Sequence, residues 1–392
     1  MVIKNILLAL AFVFSTGTFP AGLNADTWRF VSAGYSHTVA IRTDGSLWAW
    51  GRGRNVWGQL GDDTTTDRHS PVRIGANYEW RFVSAGYNHT VAIGIDGSLW
   101  TWGNNRYGQL GDNRTIPRFS PGRIDAATHA RWENVSSGRG FTLAVRTDGS
   151  LWAWGRNDSG QLGLGDRSRR LLPTRVIRYE RDGVWPLWVS AGRSHALVSG
   201  FSSLFLAWGR NDQGQVGDGT IVERHAPVPI GRRFIGEYIY AGDSHSMAIC
   251  LRDSPDISMV FFGGTLWAWG ENFWGQLGDG TTTNRNAPVR IGTDYWREVS
   301  AGGSHTVAVR IDGSLWAWGA NGAGQLGNGS TDDRHSPTRI GTDYDWNFVF
   351  AGGRHTLALR KDGTLWAWGA NGAGQLGDGT RVTRLTPVRI MP

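Results

Sequence analysis

An internal disulfide is excluded at the outset, because Cys250 is the only cysteine. The same scarcity removes metal sites built on clustered thiolates. Lysine is nearly missing too: Lys4 and Lys361 are the two copies, so 38 of the 40 basic residues are arginine. Arginine pairs flatly with carboxylates and stacks on aromatic rings, although a bias in codon composition gives the same imbalance. Charged residues make up only 19% of the chain, and the formal charge of +7 is spread through it rather than gathered in a tail. A nucleic-acid partner is therefore not expected. No segment sustains a helical apolar period. After the first 25 residues, no run is apolar and long enough to cross a bilayer, so no integral membrane segment is expected once the leader described next is removed.

The N-terminus is different. Lys4 precedes an unbroken apolar run from Ile6 to Phe14, which is followed by small and polar residues. Leu23-Asn24-Ala25 before Asp26 suits a signal-peptide cleavage site. Residues 1–25 are thus expected to be a secretory signal, with an uncleaved leader as the other reading. Residues 26–392 remain, and the expected location is secreted or periplasmic.

What is abundant is glycine (57) and tryptophan (22). Both belong to a repeat. Ser-Leu-Trp-Ala-Trp-Gly at Ser46–Gly51 recurs at Ser150–Gly155 and Ser314–Gly319, with near copies ending at Gly103, Gly209, Gly270 and Gly369. Each copy is followed by Gly-Gln-Leu-Gly or a near copy, as at Gly58–Gly61, and preceded by Ala-Gly-x-x-His-Thr or a near copy, as at Ala33–Thr38. The glycines of the last phrase, Gly34, Gly86, Gly138, Gly192, Gly242, Gly302 and Gly352, are spaced by 50 to 60 residues. The period must be read before domains are counted.

Each copy predicts four short strands, in the first repeat near residues 30–33, 38–42, 47–51 and 71–74. Asp44-Gly45 marks a tight hairpin turn. Pro71 in the fourth strand suits a sheet edge. In Leu-Trp-Ala-Trp both faces of the strand are apolar, so both must be buried. Repeated four-stranded units with buried faces predict an all-β, seven-bladed β-propeller of four-stranded blades. The closing segment around Pro387 either finishes the last blade or pairs beside the first strands.

These phrases together resemble the repeat of the regulator of chromosome condensation family, from Trp28 to Ile390, and the leader suggests a secreted bacterial member. The resemblance implies the propeller but not one function. Members include a guanine-nucleotide exchange factor, a plant ultraviolet-B photoreceptor and a secreted inhibitor of β-lactamases. The photoreceptor's light-sensing tryptophans correspond here to Tyr35, Tyr87, Arg139, Arg193, Asp243, Gly303 and Gly353. None is tryptophan, so light sensing is not expected.

No catalytic residues are expected. His37, His89, His195, His245, His305 and His355 occupy one repeat position, whereas an active site must break symmetry. Each serine beside such a histidine points to the opposite strand face, which rules out a nucleophile–base pair. These histidines read as hydrogen-bonding pins within blades. The Gly-Asp-Gly-Thr loops lack the carboxylate density of a calcium loop, and there is no phosphate-binding or dinucleotide motif, so no metal or cofactor is expected.

Functional residues are sought where repeats differ. In the third repeat Gly140-Phe141 replaces Ser-His, and an arginine-rich connection follows, with Arg167, Arg169, Arg170, Arg175, Arg178 and Arg181. It is either a docking site for an anionic partner or a solvated loop. In the fifth repeat an insertion carries Met259, Val260, Phe261 and Phe262, which either project toward a partner or fold back on the blade. Arg68, Arg118, Arg224, Arg285, Arg334 and Arg384 occupy equivalent loops and would form a ring, offset by Asp67, Asp333 and Glu223. The expected function is a non-enzymatic scaffold that binds another protein. The alternative, guanine-nucleotide exchange on a small GTPase, conflicts with a secretory leader.

Overall fold

The computed structural model describes residues 27–52, 57–124, 130–177, 185–200, 205–230, 238–251 and 263–391. The leader and Met259, Val260, Phe261 and Phe262 lie outside the described residues, as do Arg178 and Arg181. The described chain contains 27 β-strands and no α-helix.

The first repeat shows the plan. Trp28–Ala33, His37–Arg42, Leu47–Gly51 and Arg68–Ile74 pair antiparallel in chain order. The first and fourth strands start earlier than the sequence predicts, and bulges explain both. A register shift between Trp28 and Phe30 lets pairing continue back to Trp28. In the fourth strand Val72 pairs with Ala49 and Arg68 with Gly51, so residues 69–71 bulge. Pro71, which has no N–H to offer, falls in that bulge and breaks no ladder bond. The Asp44-Gly45 turn forms as expected: Gly45 takes φ 81° and donates its N–H to the Arg42 carbonyl at 3.0 Å.

Four-stranded sheets were expected throughout, but the strands form six sheets, five of four strands and one of seven. The larger sheet arises from one 17-residue strand, Arg285–Ala301. Its first part pairs with Gly264–Gly270 and its last part with His305–Arg310. The cause is local: Tyr295 and Trp296 stay in register with Thr265 and Gly264, so the connection between two repeats never leaves the ladder.

First strands of all the repeats surround an axial channel, and apolar clusters fill the spaces between neighbouring repeats. The two tryptophans of Leu-Trp-Ala-Trp divide the work. The second is fully buried in every repeat, as Trp50, Trp102, Trp154, Trp208, Trp269, Trp318 and Trp368. The first is half-buried in most repeats and is covered by an arginine. The guanidinium carbon of Arg42 lies 4.0 Å from the Trp48 ring centre, that of Arg146 4.0 Å from Trp152 and that of Arg310 3.6 Å from Trp316. Much of the arginine surplus is thus used for stacking.

The histidines act between repeats rather than within them, which corrects the expectation. His37 Nε2 lies 3.2 Å from Thr90 Oγ1 of the next repeat, and Thr90 donates to the Gln59 carbonyl at 2.8 Å. Trp102 Nε1 donates to the same carbonyl at 3.0 Å. Because the threonine hydroxyl spends its hydrogen on the carbonyl, the histidine must donate through Nε2, which sets its tautomer. The relay repeats from His89, His195, His245 and His305. It also joins the last repeat to the first: His355 Nε2 lies 3.4 Å from Thr38, and Thr38 and Trp50 both donate to the Gln375 carbonyl. Arg384–Ile390 meanwhile pairs with Leu365–Gly369 and finishes its own sheet. Among the described residues the ring therefore closes through side chains and two backbone bonds, from Trp28 N to the Gly363 carbonyl and from Gly353 N to the Gly34 carbonyl, with no strand exchanged.

One junction lacks the relay. Phe141 stands where the histidine would be, and Ala196 where its hydroxyl partner would be; both are fully buried in one apolar cluster. There Trp208 alone donates to the Gln161 carbonyl, at 2.9 Å. Phe141→His alone is expected to cost about 1–3 kcal/mol, because the buried imidazole N–H would have no acceptor. Adding Ala196→Thr should recover most of that, giving a coupling of about 1 kcal/mol in urea unfolding. Simple additivity of the two changes would refute the relay's energetic role.

Candidate functional site

Repeat symmetry explains so many side chains that the remainder is informative. At one end of the channel the turn between the first and second strands of each repeat places one residue around the axial mouth. These are Tyr35, Tyr87, Arg139, Arg193, Asp243, Gly303 and Gly353. Backbone bonds between neighbouring turns hold them, as from Tyr35 N to the Gly86 carbonyl at 3.4 Å and from Asp243 N to the Gly302 carbonyl at 3.1 Å. A second circle lies just outside. The residue after each Trp-Gly donates its N–H to the same turn, Arg52 to the Ser36 carbonyl at 2.8 Å and Glu271 to that of Ser244 at 2.9 Å. This outer circle is Arg52, Asn104, Arg156, Arg210, Glu271, Ala320 and Ala370.

Both circles break symmetry in the same sense. The first four repeats present aromatic, amide and basic groups, the fifth presents acids, and the last two present only glycine and alanine. Tyr35 and Tyr87 stack with ring centres 3.8 Å apart and planes at 22°. The Arg139 guanidinium carbon lies 5.0 Å from the Tyr87 ring centre. Burial holds the Tyr87 phenol well above its ordinary range, with the Tyr35 hydroxyl reinforcing the shift. Burial also pushes Asp243 up to about 6, against the attraction of Arg193 and Arg139. Glu271 is raised by burial and by Asp212. Beyond it, Phe273 and Trp274 are 66% and 42% exposed and meet edge to face at 4.9 Å. Two adjacent large apolar side chains in solvent, beside an acidic pair and a glycine–alanine sector, form an unpartnered patch.

Gly303 and Gly353 can only be glycine. A Cβ on Gly303 would come within 2.4 Å of the Gly353 carbonyl oxygen, and one on Gly353 within 2.6 Å of that of Tyr35. The small-residue sector is thus built into the mouth's backbone.

The sites expected from sequence fare differently. Arg170 is tied to Asp166 at 2.5 Å. Arg175 is exposed, with its guanidinium carbon 4.9 Å from the Trp152 ring centre, and Arg169 is exposed. Arg167 pairs with Glu223 of the following repeat. The arginines expected to form an open ring mostly do not. Arg68, Arg224, Arg285 and Arg384 each donate Nε to an aspartate six residues earlier, Asp62, Asp218, Asp279 and Asp378, at 2.6–2.8 Å, and Arg118 reaches Asp112 at 3.0 Å. Arg334 has Asn328 at that position. Of the acids expected to offset the ring, Asp67 pairs with Arg381, and Asp333 accepts the Asn321 N–H. The Gly-Asp-Gly-Thr carboxylates are turn builders: Asp218 accepts from Thr220 N at 3.0 Å and from Thr220 Oγ1 at 2.7 Å. In sequence the seven inner residues of the mouth align with one another but carry no signal that they form a site.

Comparison with known proteins agrees with this architecture. Residues 16–261 match the RCC1-like domain, and residues 263–309, 312–359 and 362–392 match regulator of chromosome condensation (RCC1) repeats. The chain is 33% identical to the ultraviolet-B receptor UVR8 of Arabidopsis thaliana, over 72% of this chain and 62% of the receptor. It is 29% identical to the E3 ubiquitin-protein ligase HERC2 of Homo sapiens, over 71% of this chain and 6% of that protein. It thus spans less than two thirds of either relative. Among solved structures, human WBSCR16 superposes with a TM-score of 0.76 at 20% identity, covering 88% of this chain and 93% of that one. Yeast RCC1 (Prp20), solved bound to Kap60, gives 0.75 at 19% identity, covering 96% and 86%. At such identities these two likenesses show the fold.

Proposed function

From the premise that the chain belongs to the RCC1-like domain family, we propose that it is a non-enzymatic propeller scaffold that binds another protein through the face around the axial mouth. The ring on this reading has seven blades, two of which share the strand Arg285–Ala301. The leader sends the protein out of the cytoplasm, so the partner is an extracellular or envelope protein. One observation carries the reading. The two circles around the mouth are graded from basic to acidic to small, while most equivalent positions in the body of the ring repeat.

Such a face suits a partner that sets an acidic group over Arg139 and Arg193 and an apolar group against Phe273 and Trp274. Aromatic side chains and arginine are the residues that most often dominate interface energetics. Charge complementarity then fixes orientation and speeds encounter. The yeast relative solved with Kap60 is a member of the fold engaged with another protein.

The test uses a photo-crosslinking residue at Trp274 and, as control, at Tyr344, an exposed position at the other end of the strands. In the native host, one defined adduct from position 274, and none from 344, is expected. Arg139→Ala with Arg193→Ala should then reduce that adduct at least roughly ten-fold. Adducts from 344 alone would move the site to the opposite face. Acceleration of nucleotide release from a small GTPase by the purified protein would replace the scaffold reading with exchange activity.

A further inference from the structure

The channel behind the mouth is not a plain solvent duct. Residues of the first strands line a cavity of about 180 Å³, in which Ser32 is followed along the chain by Ala33 of the mouth. Serines regularly face the cavity, and each accepts a neighbouring strand's N–H, as Ser32 from Ala85 at 3.0 Å and Ser300 from Ala351 at 2.9 Å. Two repeats abandon that pattern for Tyr240 and Phe350. One side of the wall is aromatic: Phe30 lies 4.6 Å from Phe82 and 6.1 Å from Phe350, and Phe82 lies 6.4 Å from Trp188, ring centre to ring centre.

The polar groups are few and poorly matched. Asn134 is 6% exposed, lines the cavity, and its Oδ1 has no hydrogen-bond partner. Arg29 also lines it, and among the described residues no carboxylate lies within ion-pair distance of its guanidinium. Arg29 donates to the Arg81 carbonyl at 3.2 Å, Arg81 donates to the Trp132 carbonyl at 2.8 Å, and Arg297 donates to carbonyls of the next repeat. Three guanidiniums therefore follow the same strands. The carboxyls that could offset them are Glu133 and Glu298, and burial raises both, Glu298 to about 8. Of the charged residues that line the cavity, Arg29 and Glu298, Arg29 alone then carries charge around neutral pH. A buried charge without a counter-ion is costly, and a ligand that supplies one gains accordingly.

We propose that the cavity is a binding site for a small aromatic carboxylate, with its carboxylate on the Arg29 guanidinium and its ring against Phe30, Phe82 and Trp188. Apolar walls with a few convergent polar groups are the usual character of small-molecule sites. Tyr240 donates to Glu298 Oε1 at 3.2 Å and, with its phenol held well above the ordinary range by burial, stays neutral.

Calorimetric titration of the full chain with phenylacetate, phenylacetamide and phenethylamine tests this. These share a ring and differ in charge. Phenylacetate is expected to bind roughly ten-fold more tightly than the amide, as charge-assisted bonding to a guanidinium implies, and the amine not at all. Arg29→Gln should bring phenylacetate down to the amide's affinity and leave the amide unchanged. In the unsubstituted protein, affinity for phenylacetate should fall as pH rises through about 8, where Glu298 ionises and repels the ligand while Arg29, Arg81 and Arg297 keep their charge. Equal binding of acid and amide, a preference for the amine, or no detectable binding of phenylacetate to the folded, unsubstituted protein would each overturn the proposal.

Discussion

Between pH 7 and pH 5 the protein is expected to lose most of its stability. Six histidines are fully buried, and burial lowers His37 to about 4 and the other five to about 3. In the unfolded chain each returns to about 6.5. Below that value the unfolded chain takes up protons that the native ring refuses, so stability falls as pH falls toward the native values. Each such proton is worth about 1.4 kcal/mol per pH unit, so six approach roughly 8 kcal/mol per unit. Four carboxyls oppose this. Glu298, raised to about 8, and Asp243, raised to about 6, stay protonated in the native state where the unfolded chain has lost those protons. Those two offset up to two of the six, and the smaller rises of Glu133 and Glu271 act in the same direction, leaving at most roughly 5–6 kcal/mol per pH unit. Total stabilities of about 5–15 kcal/mol are ordinary for folded domains. Urea midpoints at pH 7, 6 and 5 measure this directly; equal midpoints at pH 7 and 5 would show that the histidines are not buried neutral.

Trp318→Ala is expected to destabilise the ring by about 3–5 kcal/mol, the range for truncating a buried aromatic in a rigid core. Trp318 is fully buried between two repeats, and its Nε1 donates to the Gln276 carbonyl at 3.0 Å. Gly278 packs so closely on it that a Cβ there would lie 2.6 Å from Nε1, at a φ of +81° that also favours glycine. Trp316→Ala, two residues away, should cost about half as much, because Trp316 is half-buried under Arg310 and bonds only to Ser314. Trp318→Phe should fall between, since the Gln276 carbonyl keeps the Thr306 hydroxyl at 2.8 Å. Equal losses for Trp316→Ala and Trp318→Ala would contradict this division between a junction tryptophan and a covering one.

The repeat phrases made the strand order legible because each has a local cause: Asp-Gly forms a turn, and Leu-Trp-Ala-Trp needs two buried faces. Their cross-junction meaning was not legible. Nothing in Ala-Gly-x-x-His-Thr says that its histidine reaches the next copy, since that depends on the angle between repeats. The paired departure Phe141 and Ala196 did carry that information, once read as two ends of one missing contact. The mouth stayed hidden for a similar reason. Tyr35, Arg139 and Asp243 are far apart in the chain, and only closure of the ring makes them neighbours. The pairing of the arginines is not legible either, because an aspartate six residues upstream, as in Asp62 and Arg68, reads in sequence as a turn former rather than as a partner.

A ring closed without exchanging a described strand has no privileged first repeat. The junction between His355 and Thr38 uses the same relay as most of the others. Circular order, rather than linear order, is therefore what the contacts encode. A circular permutant that joins Thr27 to Met391 by a linker and opens within residues 341–345 would keep every histidine relay. Opening it within residues 292–295 would instead sever what is, among the described residues, the one connection that is itself a hydrogen-bonded strand.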